Sequence, residues 1–362
     1  MHSCLPIVLD NGCYKLRAGF SGDCLPRLDI YNSFGKPRSY KSVFKASTAK
    51  SHYFAEDLCE KRGLLRYDSA YDSKNNLDIN KQSLIWHHVF YEQLRIAPEE
   101  HNILISCSPN STLREKQSIV HSLFENFDFP AAFLTESSIL NLYSYGKSSG
   151  LSVDISYMNT RIFGYWDAFK LNDVKEINCM GGYQLEKLFS DELLKKGITL
   201  DRNNSQIDII RNMIENYCFI SKKSPINTSI EPIKIKLPDC SEITLANELC
   251  DLTESYFNPE SFYIEAKSLS QSIKDAIGRA PIDIRKSLFK NILLSGGSSM
   301  LKNLDFRINN ELPNHFRVLS SDDRNYSTWF GGSIVSSIDS LEWIKKSDYM
   351  EIGPSIVNRY FN

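Results

Sequence analysis

Two aspartates close short apolar runs: Asp10 follows Ile7-Val8-Leu9, and Asp154 follows Leu151-Ser152-Val153. After Asp10 come Asn11-Gly12 and an alternating run to Phe20, a pattern that predicts a β-hairpin with its tight turn at Asn11-Gly12. Backbone N–H groups at such a tip can cradle an anion, and a carboxylate at the strand end can face a cation. Residues 151–163 repeat the theme, so 8–17 and 151–163 read as equivalent positions in two duplicated halves. Three glycine pairs join them. Ser295-Gly296-Gly297 follows the strand Asn291–Leu294, with Ser298 or Ser299 expected to cap a helix, and this makes a site for an anionic or polar ligand. Gly181-Gly182 opens another helix, and Gly331-Gly332 with a capping Ser333 reads as the same device again. A single glycine pair only lets backbones approach closely; the whole set in this order points to an anionic or polar ligand.

The elements that must position these residues follow one another with short breaks. Residues 80–96 space apolar side chains as an amphipathic helix does, "HNILISCSP" is a buried-type strand, and "TLREKQSIVHSLFENF" is a second helix. "PAAFLTESSILNLYSYG" reads as strand, turn and helix; 205–223 reads as helix; 232–250 reads as a hairpin turning near Pro238-Asp239; and "SLSQSIKDAI" is helical. The 362 residues are enough for two or more domains, with 42% hydrophobic and 24% charged side chains, as in ordinary globular chains. The 42 basic and 44 acidic residues give no electrostatic case for nucleic acid or an anionic membrane. No apolar run is long enough to span a bilayer, and the N-terminus has no leader pattern. Nine cysteines without a C-x-x-C read as reduced thiols in the cytosol or nucleus, and adjacent His87 and His88 cannot share a metal from one helix.

Over essentially its whole length the chain resembles the actin family. "LDNGCYKLRAGFSGDCLPR" resembles the first phosphate loop, "DIRKSLFKNILLSGGSSM" the strand and loop that hold the adenosine, and "YSTWFGGSI" and "GPSIVNR" further family features. The resemblance implies an α/β, duplicated, two-lobed fold of the actin/Hsp70/sugar kinase type, with ATP and a divalent cation in a central cleft. One lobe would comprise 1–146 and 323–362, with a small subdomain at about 34–70; the other would comprise 147–322, with one at about 182–256. Nucleotide contacts carry over to Asp10, Asn11, Gly12, Cys13, Tyr14, Arg17, Asp154, Gly182, Glu215, Gly296, Gly297, Ser298 and Met300, and indirect, water-mediated cation contacts to Asp10 and Asp154.

The departures from the family pattern imply erosion. Asp154 is followed by Ile155, Ser156, Tyr157 and Met158, where the family has serine, glycine and a second acid. Cys13 and Tyr14 replace a hydroxyl residue and a glycine, and Arg17 replaces the phosphate-binding lysine. Ser137 stands at the water-orienting glutamine and is too short for that task. Ile214 and Asn325 occupy places of adenine-side basic residues, and no histidine lies between His52 and His87 for the sensor loop. Each lost charge-assisted bond costs about 1.5–3 kcal/mol, so losing about three weakens nucleotide on the order of 10³-fold. ATP or ADP with Mg²⁺ is expected to bind weakly, if it binds, and no catalytic residue is assigned.

Contact surfaces are the remaining carriers of function. Val43-Phe44 sits at the tip of the loop 39–51, Phe262-Tyr263-Ile264 in the family's plug region, and Tyr143, Phe330, Ile334, Val335 and Ile338 would line the target-binding cleft. The expected role is a structural subunit of a cytoskeletal filament or large multi-protein complex, cytoplasmic, with a dynactin-like complex as the leading candidate. "RKSLFKNILLSGG" and "YSTWFGGSI" lean toward centractin and "GPSIVNR" toward conventional actin, and the partners would be other actin-family subunits or actin-binding proteins. The rivals are a pseudo-actin subunit of a nuclear chromatin-remodelling complex, a divergent conventional actin with ATP-dependent polymerisation, and an ATPase or sugar kinase. The kinase reading finds no candidate base beyond Asp10 and Asp154.

Overall fold

The strand Ile7–Asn11 is buried along its whole length, and its side chains alternate between two cores. Ile7 and Leu9 join Trp86, Phe90, Ile103, Ile105, Leu123 and Phe124 on one face. Val8 joins Leu104, Leu140 and Trp329 on the other. A strand covered on both faces belongs at the centre of a helix-flanked sheet. In this computed structural model, which describes residues 5–38, 50–72, 74–198, 207–222, 230–237, 240 and 242–361, that sheet runs Ile344–Lys345, Ala131–Glu136, Ile103–Cys107, Ile7–Asn11, Lys15–Phe20, Leu28–Tyr31. The pairings of Ile103–Cys107 with Ile7–Asn11 and with Ala131–Glu136 are parallel, and the others antiparallel.

The second sheet repeats this plan. Its order is Phe169–Asn178, Thr160–Trp166, Gly150–Ile155, Ile292–Ser295, Val318–Leu319. Again a buried strand forms a hairpin with its successor and pairs in parallel with a distant strand. Leu151, Val153, Ile155, Ile292 and Leu294 pack with Leu185, Phe189, Ile273 and Ile277 from the helices Gly182–Lys195 and Leu269–Gly278. The chain divides into two compact units: Met1–Lys147 with Tyr326–Asn362, and Ser148–Asn325. Two small antiparallel pairs, Ser33–Pro37 with Leu65–Ser69 and Ile233–Lys236 with Glu242–Leu245, stand apart from the main sheets.

Several local expectations need correction. Asn11 is the last residue of its strand and pairs with Leu16, so the turn is centred on Cys13-Tyr14 and not on Asn11-Gly12. Gly12 remains necessary there, because a Cβ would lie 2.5 Å from the Lys15 carbonyl oxygen. Neither Ser298 nor Ser299 caps a helix. Gly297–Met300 is a single 3₁₀ turn, and the next helix, Leu304–Glu311, starts after a left-handed Asn303. Gly331 and Gly332 form no strand-to-helix loop and Ser333 is no cap: all three lie inside the helix Ser327–Ser336. A Cβ on Gly331 would stand 1.9 Å from the Leu140 carbonyl oxygen, so that pair serves helix–helix packing, as a lone glycine pair commonly does. The helix expected over 205–223 is described over Ile207–Tyr217, and Phe219 bridges to Lys302 instead of continuing it. The 232–250 hairpin ends in a short helix, Glu248–Asp251, and its turn at Pro238-Asp239 lies outside the described residues. The 80–96 helix is α-helical over Ile79–His87 and π-helical over His88–Leu94.

Candidate functional site

In the first unit the hairpin is held from beneath. Trp86 Nε1 donates to Asn11 Oδ1 at 3.2 Å, and Asn32 Nδ2 donates to the Gly12 carbonyl at 2.8 Å while pairing with Gln82. Tyr71 reaches both the side chain and the carbonyl of Asn11. Hairpin register sets Asp10 directly opposite Arg17. Arg17 Nη1 donates to Asp10 Oδ2 at 3.1 Å, and Ser106 Oγ donates to the other carboxylate oxygen at 2.9 Å. The same guanidinium faces Asp29 at 3.5 Å and lies 5.2 Å over the Tyr326 ring, while Lys15 also binds Asp29. Tyr14 packs on Tyr31, and Cys13 occupies the half-buried tip. Ser137 opens the helix Ser137–Ser144, and its buried hydroxyl has no hydrogen-bond partner among the described residues.

The second unit uses the same device. Asp154 and Arg161 are in register across their hairpin, and Arg161 Nη2 donates to Asp154 Oδ2 and, at 3.1 Å, to Ser156 Oγ. Gly296 lies against this pair with φ +89°, and a Cβ there would meet Asp154 Oδ1 at 2.4 Å. Ser298 Oγ donates to the Ser156 carbonyl at 3.1 Å. Tyr157 does not project into solvent. Its hydroxyl donates to Glu186 Oε2 at 2.9 Å, and Arg211 donates to that hydroxyl at 2.8 Å and to Glu186 Oε1 at 2.6 Å. Burial first, and then the Glu186 carboxylate, push the Tyr157 phenol well above its ordinary range. Gly182 opens the helix Gly182–Lys195.

The other expected site residues disperse. Glu215 is exposed on its helix, and neighbouring Ile214 turns into the core of the second unit. Met300 is exposed on its 3₁₀ turn, beside Gly297 and Ser298. Asn325 is half-buried, whereas Arg324 beside it is buried and donates to the Ser299 and Ser321 carbonyls. Of the expected contact residues, Tyr263 is 99% exposed with φ 56°, but Ile264 is buried and Phe262 packs on the unit's own core, so that triad is not a continuous exposed patch. Ile334 and Ile338 are exposed and Tyr143 and Phe330 half-buried, while Val335 is core and drops out of the contact set. Val43 and Phe44 lie outside the described residues.

Sequence reasoning missed Arg161, Glu186, Arg211, Ser106 and Asp29. The signal for Arg161 was present: Asp and Arg stand seven residues apart in both hairpins. No such spacing marks Glu186 or Arg211, which reach Tyr157 from two later helices.

An ATP phosphate chain with its divalent cation fits this donor set poorly in the second unit. The Asp154 carboxylate is already balanced by a guanidinium, and the Tyr157 side chain is anchored where a phosphate loop needs only backbone. Among the described residues no cluster of three or more His, Cys, Asp or Glu side chains is placed to hold a metal ion. The first unit fits better in residue type, with Asp10 and Gly12 retained and the lysine's charge kept by Arg17, but there too the arginine is committed to two carboxylates.

The match to known families agrees with the repeated hairpin-and-sheet plan. The family model described as Actin matches residues 1–362. Together with the mixed α/β organisation into two units, each built on a hairpin and a parallel partner strand, this carries the two-lobed actin-like fold. The chain belongs to the actin family.

Proposed function

We propose that this actin-family chain is a structural subunit of a cytoskeletal filament or multi-protein complex and does not hydrolyse ATP. The observation that carries the reading is the state of the second hairpin, where Asp154 is paired with Arg161 and Tyr157 is tied to Glu186 and Arg211. Phosphoryl transfer depends on positioned water and on stabilisation of developing charge. Ser137 is too short for the first role, and a self-neutralised carboxylate is poorly disposed toward the second. Weak ATP or ADP binding with Mg²⁺ is compatible with this role, because a non-reacting ligand stabilises a fold by mass action alone.

Membership of the family supports association with other actin-family subunits or actin-binding proteins in general. Exposed apolar side chains at Tyr263, Ile334 and Ile338 give such contacts a physical basis. The finer reading is cytoplasmic and dynactin-like, on the strength of "RKSLFKNILLSGG" and "YSTWFGGSI". Purification of the tagged protein under native conditions, followed by mass spectrometry, tests it. Dynactin or dynein subunits, or actin filament components, are expected among the partners. Remodelling ATPases with their scaffold helices would overturn the cytoskeletal reading in favour of a nuclear docking module.

A further inference from the structure

The two hairpins share the aspartate–arginine pair, and the second continues it into a closed network around its own loop. Gly182 N–H, at the start of the helix Gly182–Lys195, donates to the Ser156 carbonyl at 3.2 Å, and Tyr183 N–H donates to the Tyr157 carbonyl at 2.8 Å. These first-turn amides are the groups that would otherwise hold an anion. Ser156 N–H and Oγ both close on the Asn159 carbonyl, at 3.1 and 2.9 Å. Gly181 is packed so closely that a Cβ would meet the Tyr157 carbonyl oxygen at 2.6 Å and the Asn159 nitrogen at 2.8 Å. Charge is balanced inside the same shell: Asp154 and Glu186 are matched by Arg161 and Arg211. The Arg211 guanidinium lies 5.2 Å over the Tyr157 ring, so the tyrosine is held by stacking as well as by its hydroxyl.

We propose that the second hairpin is self-liganded: Arg161 supplies the counter-charge, and Tyr157 the anchor, that a bound anion and its cation would otherwise supply, so this unit holds its loop 156–159 closed without any ligand. The inference rests on the structural reading above and deepens it, since a loop closed from within is indifferent to nucleotide. Arg161 and Tyr157 are positioning residues in this device. They fix the loop through Asp154, Ser156 and Glu186.

The test is thermal melting of the full-length protein in EDTA, in Mg²⁺ alone and in Mg-ATP, with phosphate release followed in parallel. The wild-type melting temperature is expected to agree across the three conditions to within ~1 °C, because a ligand bound weakly or not at all adds little to the stability of the native state. Arg161→Ala strands the Asp154 carboxylate, so it is expected to melt lower and to gain a melting response to Mg²⁺ alone. Should that variant fail to fold, Tyr157→Phe removes only the hydroxyl link to Glu186 and Arg211. It is expected to speed amide exchange at 156–159 and 182–184, and Mg-ATP is expected not to slow wild-type exchange there. A wild-type melting rise of several degrees with Mg-ATP but no turnover would overturn self-ligation while leaving the structural reading in place. Measurable turnover would overturn both.

Discussion

At the scale of single residues, the decisive groups are arginines. Arg17 is buried between Asp10 and Asp29 and stacked on Tyr326, so it serves two carboxylates and an aromatic face at once. Arg17→Ala would leave both acids without their shared cation. Removing one partner of such a buried pair costs about 3–5 kcal/mol, so urea unfolding of this variant should show a loss of that order, and Arg17→Lys a smaller one. Ser137→Gln restores the side-chain type that the family uses to orient water. With Asp154 still paired to Arg161, this variant should release phosphate from Mg-ATP no faster than the wild type. His88 supplies the clearest pH dependence. It stacks on Phe54 at 4.7 Å and contacts Glu92 and Gln93. Burial lowers its pKa from 6.5, against an opposing pull from Glu92 and smaller effects of Lys50 and Asp57. The unfolded chain therefore binds the proton first on acidification. The stability held by neutral His88 is complete above pH 6.5 and is lost as pH falls toward and through the folded value. Melting temperature should drop between pH 7.5 and 5, and His88→Gln should flatten part of that slope.

At the scale of elements, sequence periodicity was a good guide where one face is apolar and a poor one where glycine serves packing. The helix Leu113–Glu125 follows from Thr112 and Glu115, which form a capping box, and from Ile119, Val120, Leu123 and Phe124 on one face. Thr112→Ala should cost about 1 kcal/mol in chemical unfolding. Gly331-Gly332 misleads because a strand-to-helix turn and a tight helix crossing need the same residue, and only the partner, here Leu140, distinguishes them. Gly331→Ala drives a Cβ into backbone and not into a yielding side chain. Overpacking of this kind costs about 1–3 kcal/mol or more, and a fall in melting temperature of several degrees checks it. The Asn11-Gly12 turn misplaced the hairpin tip because Asn11 is held in the strand by Trp86 and Tyr71, which lie far away in sequence. Asp10 and Asp154 were legible as buried carboxylates at the ends of equivalent strands. The network around Tyr157 was not, because Glu186 and Arg211 converge on it from separate helices.

At the scale of the molecule, one plan is used twice. Each unit sets a hairpin against a parallel strand and closes an aspartate with the arginine seven residues on. The family and its two-lobed fold follow from that plan and from a family match over the whole chain. In both units, charges expected to meet a ligand meet each other. Phosphate release from Mg-ATP by the purified full-length protein, at concentrations that favour assembly, tests this most directly. The predicted result is a rate equal to that of buffer alone, unchanged by Asp154→Asn. Release above background that Asp154→Asn abolishes would contradict it.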